Sequence, residues 1–136
     1  MKLFIVCSKH FYKEIPPIAS DLERFDHVIS LSNSFHVPLQ KERKKEMGLE
    51  KHVQWKAAMM RKDPINIAPR DGILVLNFEK NGQKNYIGGA IFLEMYTTWG
   101  MKKKIFLYNP IPDCIFTNEL VGLNPSIIHG DLHLIK

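Results

Sequence analysis

The chain predicts an α/β domain built on a parallel sheet, and three observations lead there. Short apolar runs rich in β-branched residues, such as Gly72-Ile73-Leu74-Val75-Leu76-Asn77-Phe78, have the continuous hydrophobicity of strands buried on both faces. These runs alternate with segments of helical periodicity, the pattern that lays helices over both faces of a parallel sheet. At 136 residues the chain has room for one domain with a substantial core, and no internal repeat, low-complexity tract or linker divides it.

Lys2–Cys7 reads as the first strand. Its apolar part is too short for an export signal, and Ser8-Lys9-His10 ends it without a small-residue cleavage site. After a turn, Pro16-Pro17 starts a helix that runs to about Phe25, since proline is tolerated in a first turn. Asp26–Leu31 is the second strand. A charged helical segment extends from about Leu39 to Arg61, with Met47, Leu49, Val53, Trp55 and Met59 as inward positions and Gly48 as a break or kink. Pro64 and Pro69 mark the loop before the third strand, Gly72–Phe78. The helix Gly88–Gly100 follows, then a fourth strand at about Lys104–Tyr108 and the proline-fixed loop Asn109-Pro110-Ile111-Pro112. Thr117 caps a short helix to Leu123, and Ser126–His129 is a fifth strand or edge segment. The expected architecture is a single domain over residues 1–136, a five-stranded, flavodoxin-like or Rossmann-like parallel sheet flanked by helices.

Composition excludes several classes. Pro, Asn or charge interrupts every apolar run before it reaches membrane-spanning length, so no membrane partner is expected. Two cysteines, Cys7 and Cys114, suit a reducing compartment better than a disulfide scaffold, which makes a cytoplasmic protein the expectation. The formal net charge of +5 suggests an anionic ligand. Lys41, Arg43, Lys44 and Lys45 are interleaved with Glu42 and Glu46, as on a solvated helix face. Lys102-Lys103-Lys104 falls between a helix end and a strand, where the helix dipole favours cations. Neither cluster has interleaved aromatics or a binding motif, so a small phosphate-bearing ligand is expected ahead of nucleic acid. The absence of Gly-x-Gly-x-x-Gly and of Gly-Lys-Ser/Thr argues against a nicotinamide enzyme or an NTPase. His129 and His133 are four apart but lack an evident third ligand, so no metal site is expected.

In a parallel sheet the carboxyl ends of the strands share one edge, and ligands bind beyond it where the strand order reverses. A reversal between the first and third strands would place Ser8 and Asn77 on either side of that crevice. The amino end of the Gly88 helix would lie there too, offering backbone N–H groups to an anion. Glu94 is the sharpest candidate: it stands among Ile91, Phe92, Leu93 and Met95, so its carboxylate is either buried in the core at a cost or facing a cavity. A shielded carboxylate can attack an anomeric carbon and hold the sugar covalently, the nucleophile's part in a retaining glycosyl transfer. The plain alternative is a glutamate on the exposed stripe of an amphipathic helix. Asp71 reads from pattern as a turn aspartate, and Asn77 as a ligand contact or a loop cap. Tyr86, just before the glycines, is placed to orient a carboxylate or stack on a base.

The run Asp71…Leu74-Val75-Leu76-Asn77, then Gly88-Gly89-Ala90…Glu94 and Lys104-Ile105-Phe106-Leu107, with the opening Phe4-Ile5-Val6-Cys7-Ser8, resembles the nucleoside 2-deoxyribosyltransferase superfamily. That group includes the deoxynucleoside 5′-monophosphate N-glycosidases. The resemblance covers the first strand and most of Asp71–Asn109, and does not extend to Phe35–Asp63. It implies that Asp71 binds the ligand, that Gly88 and Gly89 form the turn opening the helix, and that Glu94 is the nucleophile. It implies further that Ser8 helps form the sugar or phosphate site, with Tyr12 or Tyr86 orienting the nucleophile. A nucleoside or nucleotide substrate, no metal or organic cofactor, and a homo-oligomer follow from the same resemblance. Members usually carry a glycine and a serine or threonine within four residues before the glutamate, where this chain has Ala90 and Ile91. The expected function is cleavage or transfer at the N-glycosidic bond of a nucleoside or nucleoside 5′-monophosphate. The competing expectations are a nucleotide-binding sensor without turnover and an interaction protein that presents its charged Leu39–Arg61 helix.

Overall fold

Five strands, β1 (Lys2–Val6), β2 (Val28–Leu31), β3 (Gly72–Val75), β4 (Lys104–Leu107) and β5 (Ser126–Ile127), pair in parallel in the order β2-β1-β3-β4-β5. They belong to a computed structural model that describes residues 1–32 and 48–136. The helices are α1 (Ile15–Arg24), α2 (Leu49–Ile67), α3 (Gly89–Gly100) and α4 (Thr117–Leu123), with short 3₁₀ turns at Lys9–Glu14 and Leu132–Leu134. This is the α/β, flavodoxin-like arrangement, with chain order reversing at β1, whose neighbours are β2 on one side and β3 on the other.

Strand alternation divides the core in two. Leu3 and Ile5 of β1 point into one layer, with Ile18 and Leu22 of α1 and the buried Ile135 near the chain end. Phe4 and Val6 point into the other, with Ile67 of α2, Ile91 and Met95 of α3, and Leu120 and Leu123 of α4. A period of two in strands buried on both faces requires this, since successive side chains leave opposite faces of the pleat. The layer holding α2 and α3 is the one that carries the candidate site.

Several boundaries differ from the sequence expectation. β2 begins at Val28 because Asp26 has a φ of 67°, a left-handed turn conformation that closes the end of α1. β5 is reduced to two paired residues, and the chain turns through His129 and Gly130, both at positive φ. α2 continues to Ile67 with Pro64 inside it. Proline removes one ladder donor there, but the Pro64 carbonyl accepts from Ala68 N–H at 2.9 Å and fully buried Ile67 anchors the last turn. Gly48 stands at the α2 N-cap with a φ of 85°, so it begins this helix. Leu49 and Val53 are exposed, not inward. Val53 lies about 200° around the helix from Trp55, and the sheet can accept only one of the two. Met47 and the cations from Lys41 to Lys45 lie outside the described residues.

Gly72 is required by strand pairing. It is buried in register opposite Lys104, and a Cβ at this position would collide with the Lys104 carbonyl oxygen and lie 2.9 Å from the Lys104 Cβ. Gly72→Ala is expected to cost about 1–3 kcal/mol, since relief means separating β3 from β4. Thermal denaturation checks this, and an unchanged Tm would show that the two strands can part freely.

Candidate active site

α2 and α3 leave a cavity of about 80 Å³ between them, over the carboxyl end of β1. Helical geometry explains which side chains face it. Trp55, Met59, Asp63 and Asn66 follow one another at spacings of four, four and three, and so form one stripe of α2. Across from them, Ala90, Ile91 and Glu94 present the facing side of α3. Val6 and Cys7 form the floor at the end of β1, and Tyr12, from the turn that follows, also lines the cavity. This is the crevice at the reversal point of the sheet.

Glu94 therefore faces a cavity. It is half-buried, and its Oε2 is shut off from solvent. Thr98, fully buried one turn later, donates through Oγ1 to the Glu94 carbonyl at 2.7 Å, holding this turn of α3. Burial pushes the Cys7 thiol up to about 12, and the negative charge of Glu94 adds to the effect. Cys7 stays a thiol at neutral pH, and because thiolates are the reactive form, it is a wall of the site rather than its nucleophile. Asp63 is the second carboxyl group of the cavity. Burial pushes it up to about 6, against the opposing pull of Lys56. Asp63 and Glu94 thus line the same cavity from α2 and α3, and burial holds Asp63 above the ordinary carboxyl range.

The other sequence candidates fall in different places. Ser8 adjoins Cys7 and caps the 3₁₀ turn, its Oγ accepting from His10 N–H at 3.4 Å. Gly88 is the N-cap of α3, with Tyr86 packed on it: a Cβ at Gly88 would lie 3.0 Å from the Tyr86 hydroxyl. Nothing lies within 4 Å of where a Cβ on Gly89 would stand, so the first turn of α3 is open. Tyr86 does not line the cavity; it packs toward the α1 layer, and the Lys80 ammonium sits 4.4 Å from its ring centre. The loop carrying it is a tight hairpin, in which Lys80 and Gln83 exchange backbone hydrogen bonds around Asn81-Gly82, both at positive φ.

Asp71 and Asn77 require correction as ligand-binding residues. Asp71 lies at the amino edge of the sheet, opposite the cavity, and its Oδ2 accepts from Lys2 N–H at 2.6 Å. Its own backbone bonds both Lys2 and Lys104, which places it as a brace across β1, β3 and β4. Asn77 is fully buried, and its amide is consumed by a reciprocal clamp with the loop after β4. Nδ2 donates to the carbonyls of Asn109 and Pro110, each at 3.0 Å, and Oδ1 accepts from Asn109 N–H at 2.8 Å. The Asn109 side chain returns the bond to the Asn77 carbonyl at 3.0 Å.

No family model matches the chain, and no match is found among curated proteins or solved structures. The functional reading rests on the cavity. Its main unforeseen residue is Asp63, which a helix ending at Arg61 assigns to a loop. The signal lies in the sequence as the stripe Trp55, Met59, Asp63, Asn66, legible only if α2 runs through Pro64. Among the described residues, no group of three His, Cys, Asp or Glu side chains could hold a metal ion, and no helix is long and apolar enough to cross a membrane.

Proposed function

We propose that the cavity cleaves, or transfers at, the N-glycosidic bond of a nucleoside or nucleoside 5′-monophosphate, with Glu94 as nucleophile. The observation that carries this reading is a shielded glutamate and a second, half-buried carboxyl group, Asp63, lining one crevice at the reversal point of the sheet. A Glu94 carboxylate oxygen attacks C1′ of the sugar while the C1′–N bond breaks and its electron pair goes to the base. Asp63 supplies the proton that the departing base nitrogen needs. Trp55 offers an aromatic face to the base, and Lys56 and Lys62 at the same cavity suit an anionic 5′ group. The C1′–O bond of the ester on Glu94 is then broken by water or by a second base that attacks C1′, whose proton passes to Asp63 while Glu94 returns to the carboxylate. The open first turn of α3 and Ser8 lie close to the same edge and support a role in holding the 5′ end.

Free-base release from a panel of nucleosides and 5′-monophosphates, with and without an added acceptor base, tests this reading. Release by the wild type and not by Glu94→Gln supports it, and no release from any member removes it for those substrates. A second reading, ligand binding without turnover, draws on Ile91, an apolar side chain at the cavity one turn before Glu94, where sugar hydroxyls need polar partners. It predicts nucleotide-induced thermal stabilisation with no base release.

The pH dependence follows from Asp63. Its proton is needed and is lost as pH rises through about 6, so kcat/KM falls about tenfold per pH unit above that point. Asp63→Asn is expected to remove this limb and lower kcat by roughly 10²–10⁴-fold. The sign for stability is the same. The folded-state value lies above the ordinary 3.8, so the contribution of Asp63 is complete below that value and is lost as pH rises through about 6. A pH–rate profile of wild type and variant checks both the limb and its removal.

A further inference from the structure

We propose that the amino-terminal edge of the sheet binds single-stranded nucleic acid, through Tyr96, Trp99 and the lysines around the start of β4. This surface lies at the opposite strand ends from the Glu94 cavity and is independent of it. α3 buries Ile91, Met95 and Thr98 against the sheet, which turns Tyr96 and Trp99 outward at 55% and 48% exposure. The two rings stack on each other, centres 5.7 Å apart and planes 29° from parallel. Large exposed aromatics are costly to leave in water, and a ready-made stack at a surface suits planar partners. One turn further on, the chain leaves α3 through Lys102, at a φ of 58°, and enters β4 at Lys104. Beside Trp99 is a second cavity, of about 310 Å³, lined also by Lys103, Lys104, Lys136, Asn124 and Ser126. No Asp or Glu side chain lines it.

The chemistry that fits is a planar base on the aromatic stack, a phosphate on the lysines, and Asn124 and Ser126 as polar contacts. Every base has a π-face, so such a surface tolerates any sequence. Lys103 is committed in part to the fold, donating from Nζ to the Arg70 carbonyl at 2.5 Å. Lys104 likewise donates from Nζ to the Lys136 carbonyl while staying exposed, so Lys102 and Lys136 carry the ammonium groups most available to phosphates, with Lys104 adding its charge. Two exposed rings, and cations drawn from two separate segments of chain, offer more than one stacking and phosphate position. That favours consecutive nucleotides over a single one.

Fluorescence anisotropy with a labelled ten-nucleotide oligothymidylate tests the proposal on the full chain. Binding is expected to weaken with salt, with a log–log slope of about −2 for roughly three neutralised phosphates. Trp99→Ala is expected to weaken it about fivefold or more, through the lost stacking platform. The double variant Lys102→Glu with Lys104→Glu is expected to weaken it by at least about tenfold and flatten the salt slope. Both variants change exposed side chains, and circular dichroism verifies that each is folded. Glu94→Gln serves as the control and is expected to bind like the wild type. Absent binding, or binding that neither surface variant weakens, overturns the proposal. Thymidine monophosphate bound as tightly as the decamer would assign the surface to free nucleotides and overturn the strand reading. Self-association abolished by Trp99→Ala, with no oligonucleotide bound, would assign the stack to a second copy of the chain and overturn it as well.

Discussion

Glu94→Gln is expected to lower base release by at least about 10³-fold while the protein folds as before. The amide has nearly the shape of the carboxylate, so the contacts between α2 and α3 persist. What it lacks is the charged oxygen that the proposed mechanism needs for attack on C1′. The Cys7 thiol gives a second readout, because part of its elevation comes from Glu94. Its apparent pKa in the variant should fall below the wild-type value of about 12, which alkylation rates across alkaline pH would follow. Turnover kept within about threefold in Glu94→Gln would remove the covalent mechanism, because an amide cannot form the sugar ester and regenerate.

Asn77→Leu is expected to destabilise the protein by about 3–5 kcal/mol, a Tm loss of roughly 10–20 °C. The substitution keeps the branching pattern with bulkier methyl groups and removes all three side-chain hydrogen bonds of Asn77, leaving Asn109 N–H and the Asn109 and Pro110 carbonyls without this partner. A stranded buried polar group costs about 1–3 kcal/mol, and the low end applies here because Asn109 is half-buried and Pro110 exposed. Asn77→Asp is the finer test. It keeps every atom position but places an oxygen where Nδ2 faced two carbonyls, so the loss should be comparable and should ease at low pH as the carboxyl is protonated. A Tm within a few degrees of wild type for Asn77→Leu would show that the clamp is dispensable. Full burial of Asn77 keeps water from taking the place of its amide in the clamp.

These two predictions separate what pattern could and could not assign. Glu94 was legible because an ionisable group within Ile91-Phe92-Leu93-Glu94-Met95 has few places to go. Asn77 was legible as a polar residue at a strand end, but not as a clamp. Whether its amide meets a ligand or Asn109 depends on a loop 32 positions away along the chain. Asp71 shows the same limit. Pattern reads it as a turn aspartate and only the resemblance makes it a ligand contact; the direction of the parallel strand puts it at the amino edge, under Lys2 N–H.

The chain alone determined the layers. Continuous apolar strands, intervening helical periods and the glycines opening α3 specify a parallel sheet covered on both faces, because local propensity and alternation act within a few residues. It also singled out Glu94, leaving it either shielded or on the exposed stripe of its helix. The tertiary structure alone decided which second carboxyl group meets it. Asp63 reaches the cavity because α2 runs past Arg61, through Pro64 to the buried Ile67, and because α2 and α3 pack on the same face of the sheet. Helix persistence past a proline is set by the contact energy of the turns beyond it, and that energy belongs to the packed core rather than to the local sequence.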